Sequence, residues 1–300
     1  MNKLHFIIDD ISAIISPNVD LDAIISKSQN PNALDFASLQ AYKADFDLSY
    51  LPPLERRRLG LASKCAFSLL QPKINEWNLG SIPIVFSSTL GEINRCFGML
   101  LSLQDSYLLS PTSFSMSVLN ATPALLAIAH NNNAEISAIS ANPSLEYAMI
   151  NAYMRLQESS DKRVADKENA SKIDKVLVLS YYEGLAREYL AYKESQSTPT
   201  TSTPNNQNPQ KNSPDFFLLA ALVSLPNQSH TDKIQRDRIC ATLEINHASK
   251  TPKSANDLEI ILSELDLLAA INTVSKKQKS ISYSIGADSF KWHIELQNAK

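Results

Sequence analysis

Apolar residues recur along this chain with two different spacings, and these predict strands alternating with helices. Short apolar runs predict strands at 82–87, 136–141, 175–180, 215–225 and 238–245. Apolar positions at helical spacing predict helices at 54–70, 92–103, 117–130, 143–157 and 255–274. Residues 4–15 are interpreted as strand, turn, strand, and 281–296 as a terminal hairpin. This order predicts an α/β fold with a largely buried sheet.

One segment interrupts the pattern and defines the predicted domain organisation. Residues 195–214, SQSTPTTSTPNNQNPQKNSP, contain four prolines and no apolar anchor, so we expect a flexible, disordered insertion. Residues 1–194 form the part before it. Residues 215–300 are few for a core of their own, so we expect them to complete the same domain.

Composition excludes several functional classes. Hydrophobic residues make up 44% of the 300 residues, which suits a sizeable core, and the net charge of −3 argues against a general nucleic-acid binder. Three cysteines without a CxxC pair exclude a disulfide scaffold and suit a reducing compartment. The longest apolar stretch, 216–225, is shorter than the ~20 residues of a membrane span, and no secretory signal is visible. We therefore expect a cytoplasmic protein.

Glycine is scarce, which bears on cofactors. Six glycines in 300 residues are far below the average of about 7%, and neither GxGxxG nor GxxxxGK[ST] occurs. The five histidines show no ligand-like spacing. We therefore expect no nucleotide cofactor and no metal.

The junction between the strand at 136–141 and the helix at 143–157 is the most informative place for chemistry. A strand that turns directly into a helix aims backbone N–H groups and the helix dipole at one residue, which favours a nucleophile. That residue is Asn142, whose amide is no useful nucleophile. Asn142 followed by Pro143 is explained as a helix start, with asparagine as N-cap and proline at the first helical position.

Residues 110–156 resemble the central segment of β-ketoacyl synthases. In that family a loop of the type SPxxxPxxxxN leads to a helix, and a strand then ends in a TAC-type elbow whose cysteine begins a long helix. Ser110, Pro111 and Asn120 match the loop, and Ser140–Asn142 matches the elbow. The resemblance extends over roughly residues 1–190 and implies a shortened, thiolase-like, layered α-β-α fold.

The departures from the family pattern are equally specific. Asn142 stands where the family has its acylated cysteine, and the family's two histidine motifs and glycine-rich loops are missing. Together with the segments ISAIISPN, LPPLERRR and KWHIEL, this resembles the short ketosynthase-like chain length factors of bacterial aryl polyene clusters. The resemblance implies a non-catalytic subunit that pairs with an active β-ketoacyl synthase, walls its acyl-chain tunnel, and meets acyl carrier protein through that complex.

Two alternatives stay open. An autonomous acyltransferase would use a displaced nucleophile such as Ser144, for which the sequence offers no obvious base. A purely structural scaffold would differ only in leaving the tunnel unaffected. For the heterodimer, the resemblance places the partner contact on the loop and on the strand before the elbow, at Ser110, Pro111, Phe114, Met116, Val118, Asn120, Ile136 and Ile139.

Overall fold

The computed structural model describes residues 2–17, 25, 30–43, 46–106, 108–165, 173–184, 215–226, 238–246, 263–276, 278–286 and 288–297. The strands are β1 (Asn2–Ile15), β2 (Ile84–Ser88), β3 (Ile136–Ser140), β4 (Val176–Glu183), β5 (Phe216–Ser224), β6 (Arg238–Ile245), β7 (Ser280–Ile285) and β8 (Phe290–Gln297). The helices are α1 (Pro53–Arg58), α2 (Leu61–Leu70), α3 (Ile93–Ser106), α4 (Pro111–Ser117), α5 (Ala121–Ala129), α6 (Ser144–Ala165) and α7 (Ser263–Lys276). The predicted insertion at 195–214 and the predicted helical residues 255–262 lie outside the described ranges.

All eight strands belong to one mixed sheet, in the order β3-β2-β4-β5-β1-β6-β8-β7. β2 runs parallel to β3 and β4, whereas β5 is antiparallel to its neighbours β4 and β1. β4 and β5 are buried on both faces, which explains their nearly continuous apolar sequences. The sheet contains strands from both sides of residues 195–214. The predicted domain boundaries at 194 and 215 stay predictions.

The first strand differs from its prediction. Residues 4–15 form part of one long strand, because β1 pairs with β6 over Asn2–Ile8 and with β5 over Ile7–Ile15. The register shifts between Ile8 and Asp10, inside the segment predicted to contain a turn. The carboxylate of Asp10 binds Lys73 Nζ at 2.7 Å and Trp77 Nε1 at 3.0 Å, so this charge is compatible with a strand interior. β1 thereby joins the two ends of the sheet.

Two apolar clusters cover opposite faces of the central strands. One cluster packs α2 and Leu126 of α5 against β2, β4 and β5. The other packs α6 and α7 against the opposite face of those strands and also against β6, β7 and β8. Helices therefore cover both faces of the sheet, α2 and α5 on one face and α6 and α7 on the other, which gives the layered α-β-α arrangement expected from the resemblance.

The helix predicted at 54–70 is two helices. The backbone of Leu59 is extended, with ψ of 135°, and α2 restarts after Gly60. The carboxylate of Glu92 accepts a hydrogen bond from Ala62 N at 2.9 Å, which satisfies one of the free N–H groups at the start of α2. This cap from a distant side chain explains why helical spacing alone missed the break.

The helix predicted at 117–130 is also divided. Ser110 and Pro111, which the resemblance placed in a loop, instead begin α4, with Ser110 Oγ accepting from Ser113 N at 3.3 Å and proline in the first turn. The chain turns at 118–120 before α5 begins. Within the described ranges, no single helix is long and apolar enough to cross a bilayer. α4 and α5 pass that test only as a pair, bent by 96°.

Gly60 provides a test of the junction between α1 and α2. A Cβ at Gly60 would overlap the Glu92 carboxyl group, whereas a Cβ at Gly98, on α3, would meet nothing within 4 Å. We expect Gly60→Ala to lower the free energy of unfolding by about 1–3 kcal/mol, because the buried cap must move. Gly98→Ala should raise it by about 0.5–1 kcal/mol. Urea unfolding followed by circular dichroism measures both, and equal shifts would contradict the role of Glu92.

Candidate functional site

The junction singled out by the sequence lies between β3 and α6. β3 ends at Ser140, and α6 begins at Ser144, one residue later than predicted. The Asn142–Pro143 peptide bond is cis. Thr89 Oγ1, in the loop after β2, donates to the carbonyl of Ala141 at 3.0 Å and so holds the junction against the neighbouring strand. The side chain of Asn142 is half-buried, and Pro143 precedes α6 instead of taking its first position, so the helix start predicted at Asn142 and Pro143 is wrong by one residue.

The first residue of α6 is bound by a carboxylate that the sequence did not indicate. Ser144 Oγ donates to Glu264 Oε1 of α7 at 2.6 Å, and Ser180 Oγ of β4 donates to the same oxygen at 2.6 Å. Ser87 Oγ of β2 donates to Ser180 Oγ at 3.0 Å. These four side chains are buried, so the start of α6 is fixed to two strands and to α7.

A second set of contacts runs in the opposite direction. Ser263, the first residue of α7, donates from Oγ to Glu146 Oε2 of α6 at 2.7 Å. Trp292 Nε1 of β8 donates to the other oxygen, Oε1, at 2.8 Å. A serine of each helix thus binds a glutamate of the other. We call Ser144, Glu146, Ser263 and Glu264 the serine–glutamate brace.

Burial determines the electrostatics of the brace. The pKa of Glu146 is raised to about 7. Burial is the main cause and the nearby charge of Glu264 adds to it, against the opposing effect of the Trp292 and Ser263 donors. Burial also raises the pKa of Glu264, against the opposing effect of its two serine donors. The brace is therefore a cluster of polar groups in a non-polar core, held by short hydrogen bonds from neutral donors.

This geometry bears directly on Ser144 as a displaced nucleophile. The structure supplies the base that the sequence lacked, because Glu264 lies within hydrogen-bond distance of the hydroxyl. However, Ser144 is only 2% exposed, so a substrate carbonyl cannot reach its Oγ in this conformation. The described histidines lie elsewhere: His5 binds Thr242, His293 binds Ser282, and His130 follows α5. Among the described residues, no group of three His, Cys, Asp or Glu could hold a metal ion.

The predicted interface residues are distributed over α4, its flanks and β3. Phe114 is 57% exposed and Val118 is 42% exposed. Among the others, Ser110, Pro111 and Asn120 are exposed, and Met116, Ile136 and Ile139 are half-buried. Ile139 packs against the cluster around α6 and α7, so this side chain contributes to the chain's own core. α5 contacts both α4 and β3 and so connects the two parts of the predicted surface.

Ser110 also borders a cavity of about 430 Å³ between α2, α3 and α4. Its lining includes Glu92, Arg95 and Glu183, and Glu92 Oε2 accepts from Arg95 Nε at 3.0 Å. Burial raises the pKa of Glu183 to about 7, against the hydrogen bond from Asn94. A lining with this many charged groups does not suit a hydrocarbon chain.

Sequence reasoning missed Glu146, Glu264 and Trp292. A signal for one of them was present, because Glu146 is adjacent to Leu145 and lies within the apolar stripe of α6, where an acid is unexpected. Glu264 carried no comparable signal, since an acid in the first turn of a helix is common on electrostatic grounds. The hydrogen bonds joining residues that are more than 100 positions apart required the fold.

Comparison with known proteins defines the family. A family model described as "Beta-ketoacyl synthase, N-terminal domain" matches residues 27–292. No curated protein matches the chain. The chain therefore belongs to the β-ketoacyl synthase family.

One solved complex shows the same fold, and two further structures match with lower scores. The complex of the ketosynthase ApeO with its chain length factor ApeC from Xenorhabdus doucetiae matches with a TM-score of 0.59 at 20% identity, over 97% of this chain and 99% of that chain. AntDE:AntF, a type II PKS acyl-carrier protein in complex with its ketosynthase, has a TM-score of 0.45 at 12% identity, over 75% and 64% of the two chains. A β-ketoacyl synthase from Burkholderia phymatum STM815 gives 0.43 at 12% identity, over 74% and 59%. The layered α/β fold is thus the thiolase-like fold of ketosynthases.

The two tryptophans test how strongly the brace contributes to stability. Trp292→Phe removes a donor from the buried Glu146, which should lower the free energy of unfolding by about 1–3 kcal/mol in addition to the lost packing. Trp77→Phe is the matched control, because Asp10 keeps its ion pair with Lys73 at 2.7 Å when the indole N–H is lost. Urea unfolding compares the two variants. Equal losses of unfolding free energy in the two variants would show that the hydrogen bond to Glu146 contributes no more to stability than the hydrogen bond to Asp10.

Proposed function

We propose that this chain is a non-catalytic chain length factor that pairs with an active β-ketoacyl-acyl carrier protein synthase and helps to shape its acyl-chain tunnel. The observation that carries the proposal is the start of α6. Asn142 stands at the elbow, and the next hydroxyl, Ser144, is buried and bound by Glu264. The chain then contributes walls of the acyl-chain tunnel rather than a nucleophile. We propose that it acts in fatty acid or polyketide-type synthesis in the cytoplasm, with aryl polyenes as the product class.

The solved complex that resembles this chain supports the assignment. ApeO and ApeC form a ketosynthase and chain length factor pair, and the match covers 97% of this chain and 99% of the matched chain of that complex. We extend that partnership to this chain, with acyl carrier protein approaching the assembled pair. We also propose that the chain binds no nucleic acid and uses no cofactor.

The exposed side of β3 supports a protein partner. β3 forms one edge of the sheet, and in the described part of the chain it pairs with β2 alone. Unpaired strand edges readily pair with another chain. The large apolar side chains of Phe114 and Val118 are exposed on the segment that leads toward β3, and Met154 of α6 is 63% exposed. We therefore propose a partner surface made of β3 and α4, extended by Met154.

Arg155 explains how the proposed surface can be both exposed and well ordered. Its guanidinium binds Ser137 Oγ of β3 and Glu135 Oε2, the latter at 2.9 Å from Nη1. α6 thus fixes the position of the edge strand from one side and leaves the other side open. A fixed edge lowers the entropic cost of association.

An autonomous acyltransferase is the second candidate, and the bond between Ser144 and Glu264 is the observation in its favour. Burial of both side chains weighs against it, because nucleophilic catalysis requires contact with the substrate carbonyl. A purely structural scaffold would share the partner surface but not the tunnel. The length of the acyl product distinguishes the scaffold from the chain length factor.

Co-expression with the neighbouring ketosynthase tests the proposal as a whole. We expect a heterodimer in size-exclusion chromatography, condensation activity in the pair, and no condensation activity in this chain alone. A soluble, stable monomer that transfers acyl groups by itself would refute the proposal. Unchanged product length after substitutions on the partner surface that preserve the heterodimer would favour the scaffold.

Phe114→Asp should separate the pair. A carboxylate introduced into an apolar interface lacks a counter-charge, at a cost on the order of several kcal/mol. Because Phe114 is already 57% exposed, the isolated variant should keep its circular dichroism spectrum. Lys291→Asp, on the distant strand β8, is the control and should leave the heterodimer intact. If the Phe114→Asp pair still elutes as a stable heterodimer, the assigned surface is wrong.

Substitutions of Asn142 test whether the residue at the elbow takes part in the condensation reaction. We expect Asn142→Ala to leave the condensation rate of the complex within a few-fold of the original. We expect Asn142→Cys, assayed without the partner, to give no condensation product, since the family's histidine motifs are missing. Condensation by the isolated Asn142→Cys chain would contradict the non-catalytic assignment, as would loss of activity in a well-folded Asn142→Ala complex.

A further inference from the structure

The serine–glutamate brace contains two buried acids and no base. Glu146 is 0% exposed and Glu264 is 1% exposed. Among the described residues, neither forms an ion pair, and the side chains that donate to them are the neutral hydroxyl and indole groups of Ser144, Ser180, Ser263 and Trp292. Glu264 Oε2 is buried without a hydrogen-bond partner.

Two ionised carboxylates are incompatible with such a site. Burial disfavours each charge, and each charge disfavours the other. The free N–H groups and the dipole at the start of α6 offset part of this cost, although a helix terminus contributes only about half an elementary charge. We propose that the brace holds a proton at neutral pH, and that alkaline conditions remove this proton and so loosen the contact between α6 and α7.

Within the described ranges, the elements packed around the brace contain no group that would reverse this effect. Glu146 faces Ser263 and Glu264 from α7 and Trp292 from β8, while Glu264 faces serines of α6 and β4. The one further titratable group affected by Glu146 is Tyr283 of β7. Burial raises its pKa, and the charges of Asp266 and Glu146 add to that shift. All the charges around the brace are thus negative or absent, so they favour retention of the proton.

The sign of the pH dependence follows from the position of the proton. Burial raises the pKa of Glu146 to about 7 in the folded chain, from a reference value of 4.5. The folded chain therefore binds this proton more tightly than the unfolded chain does. The resulting stabilisation is complete below pH 4.5 and is lost as the pH rises through about 7. This inference is independent of the proposed function, because it concerns the fold of the chain alone.

Glu183 must be separated from the brace in any test. Burial raises its pKa to about 7 as well, so it contributes a pH dependence of the same sign. Glu183 lies outside the brace and receives a hydrogen bond from Asn94 at 2.7 Å. Glu183→Gln therefore removes its contribution and leaves the brace unchanged.

Thermal unfolding of the full chain at about pH 6 and about pH 8.5 tests the proposal, with Glu183→Gln as the background. We expect Tm to fall at the higher pH. Adding Glu146→Gln should remove at least half of that fall, because glutamine still accepts from Trp292 but cannot ionise. Adding Glu264→Gln should have the same effect. A fall unchanged in both variants, or no fall in the background, would overturn the proposal.

A second measurement covers variants that fail to fold. Infrared spectra of the folded Glu183→Gln chain in D₂O at neutral pH should show the carbonyl stretch of a protonated carboxyl group, which disappears at alkaline pH. Absence of that band at neutral pH would show that both glutamates are ionised and that the proposal is wrong.

Discussion

The fold depends on satisfying the polar side chains of two helices in the same non-polar layer. α6 and α7 pack in one apolar cluster against the sheet, and Ser144 and Glu146 of α6 meet Ser263 and Glu264 of α7 there. At its start, α6 has N–H groups without a partner within the helix, and a buried helix start cannot leave them to water. Serine and glutamate side chains of both helices supply polar groups in that layer. The result is an arrangement in which each helix orients the other, and β4 and β8 orient both through Ser180 and Trp292.

That constraint also determines what the elbow can do. In a ketosynthase-like fold the start of this helix is the place where a nucleophile would be presented. Here the hydroxyl of Ser144 and the carboxylate of Glu264 satisfy each other inside the core. A group committed to holding two helices together is poorly suited to leave that contact for a substrate. The Ser144 hydroxyl therefore cannot hold the two helices together and attack a substrate at the same time, and its buried contacts favour the structural role.

Much of the fold could be predicted from local pattern, and the failures have a common cause. The buried strands β2, β4 and β5 and the apolar stripe of α6 follow from the order of their own residues, and the family resemblance of residues 110–156 predicted their layering. The turn predicted within residues 4–15, the break missed at Gly60 and the missed Glu146 and Glu264 all involve a polar group that binds a residue far away in sequence. Lys73 pairs with Asp10, Glu92 caps α2, and Trp292 binds Glu146. Local sequence carries no information about such partners.

The shared strand β1 has a consequence for how the chain reaches its fold during synthesis. Ile7 pairs with Ser224, and His5 pairs with Thr242, so the first strand lies beside partners that are more than 200 residues away. At ribosomal rates of about 5–20 residues per second, those partners emerge on the order of ten seconds or more after β1. Until then an apolar strand that includes Phe6, Ile8 and Ile15 has neither neighbour available. The pairing of β1 is therefore completed only after β5 and β6 have been synthesised, and β1 stays without its strand neighbours during most of synthesis.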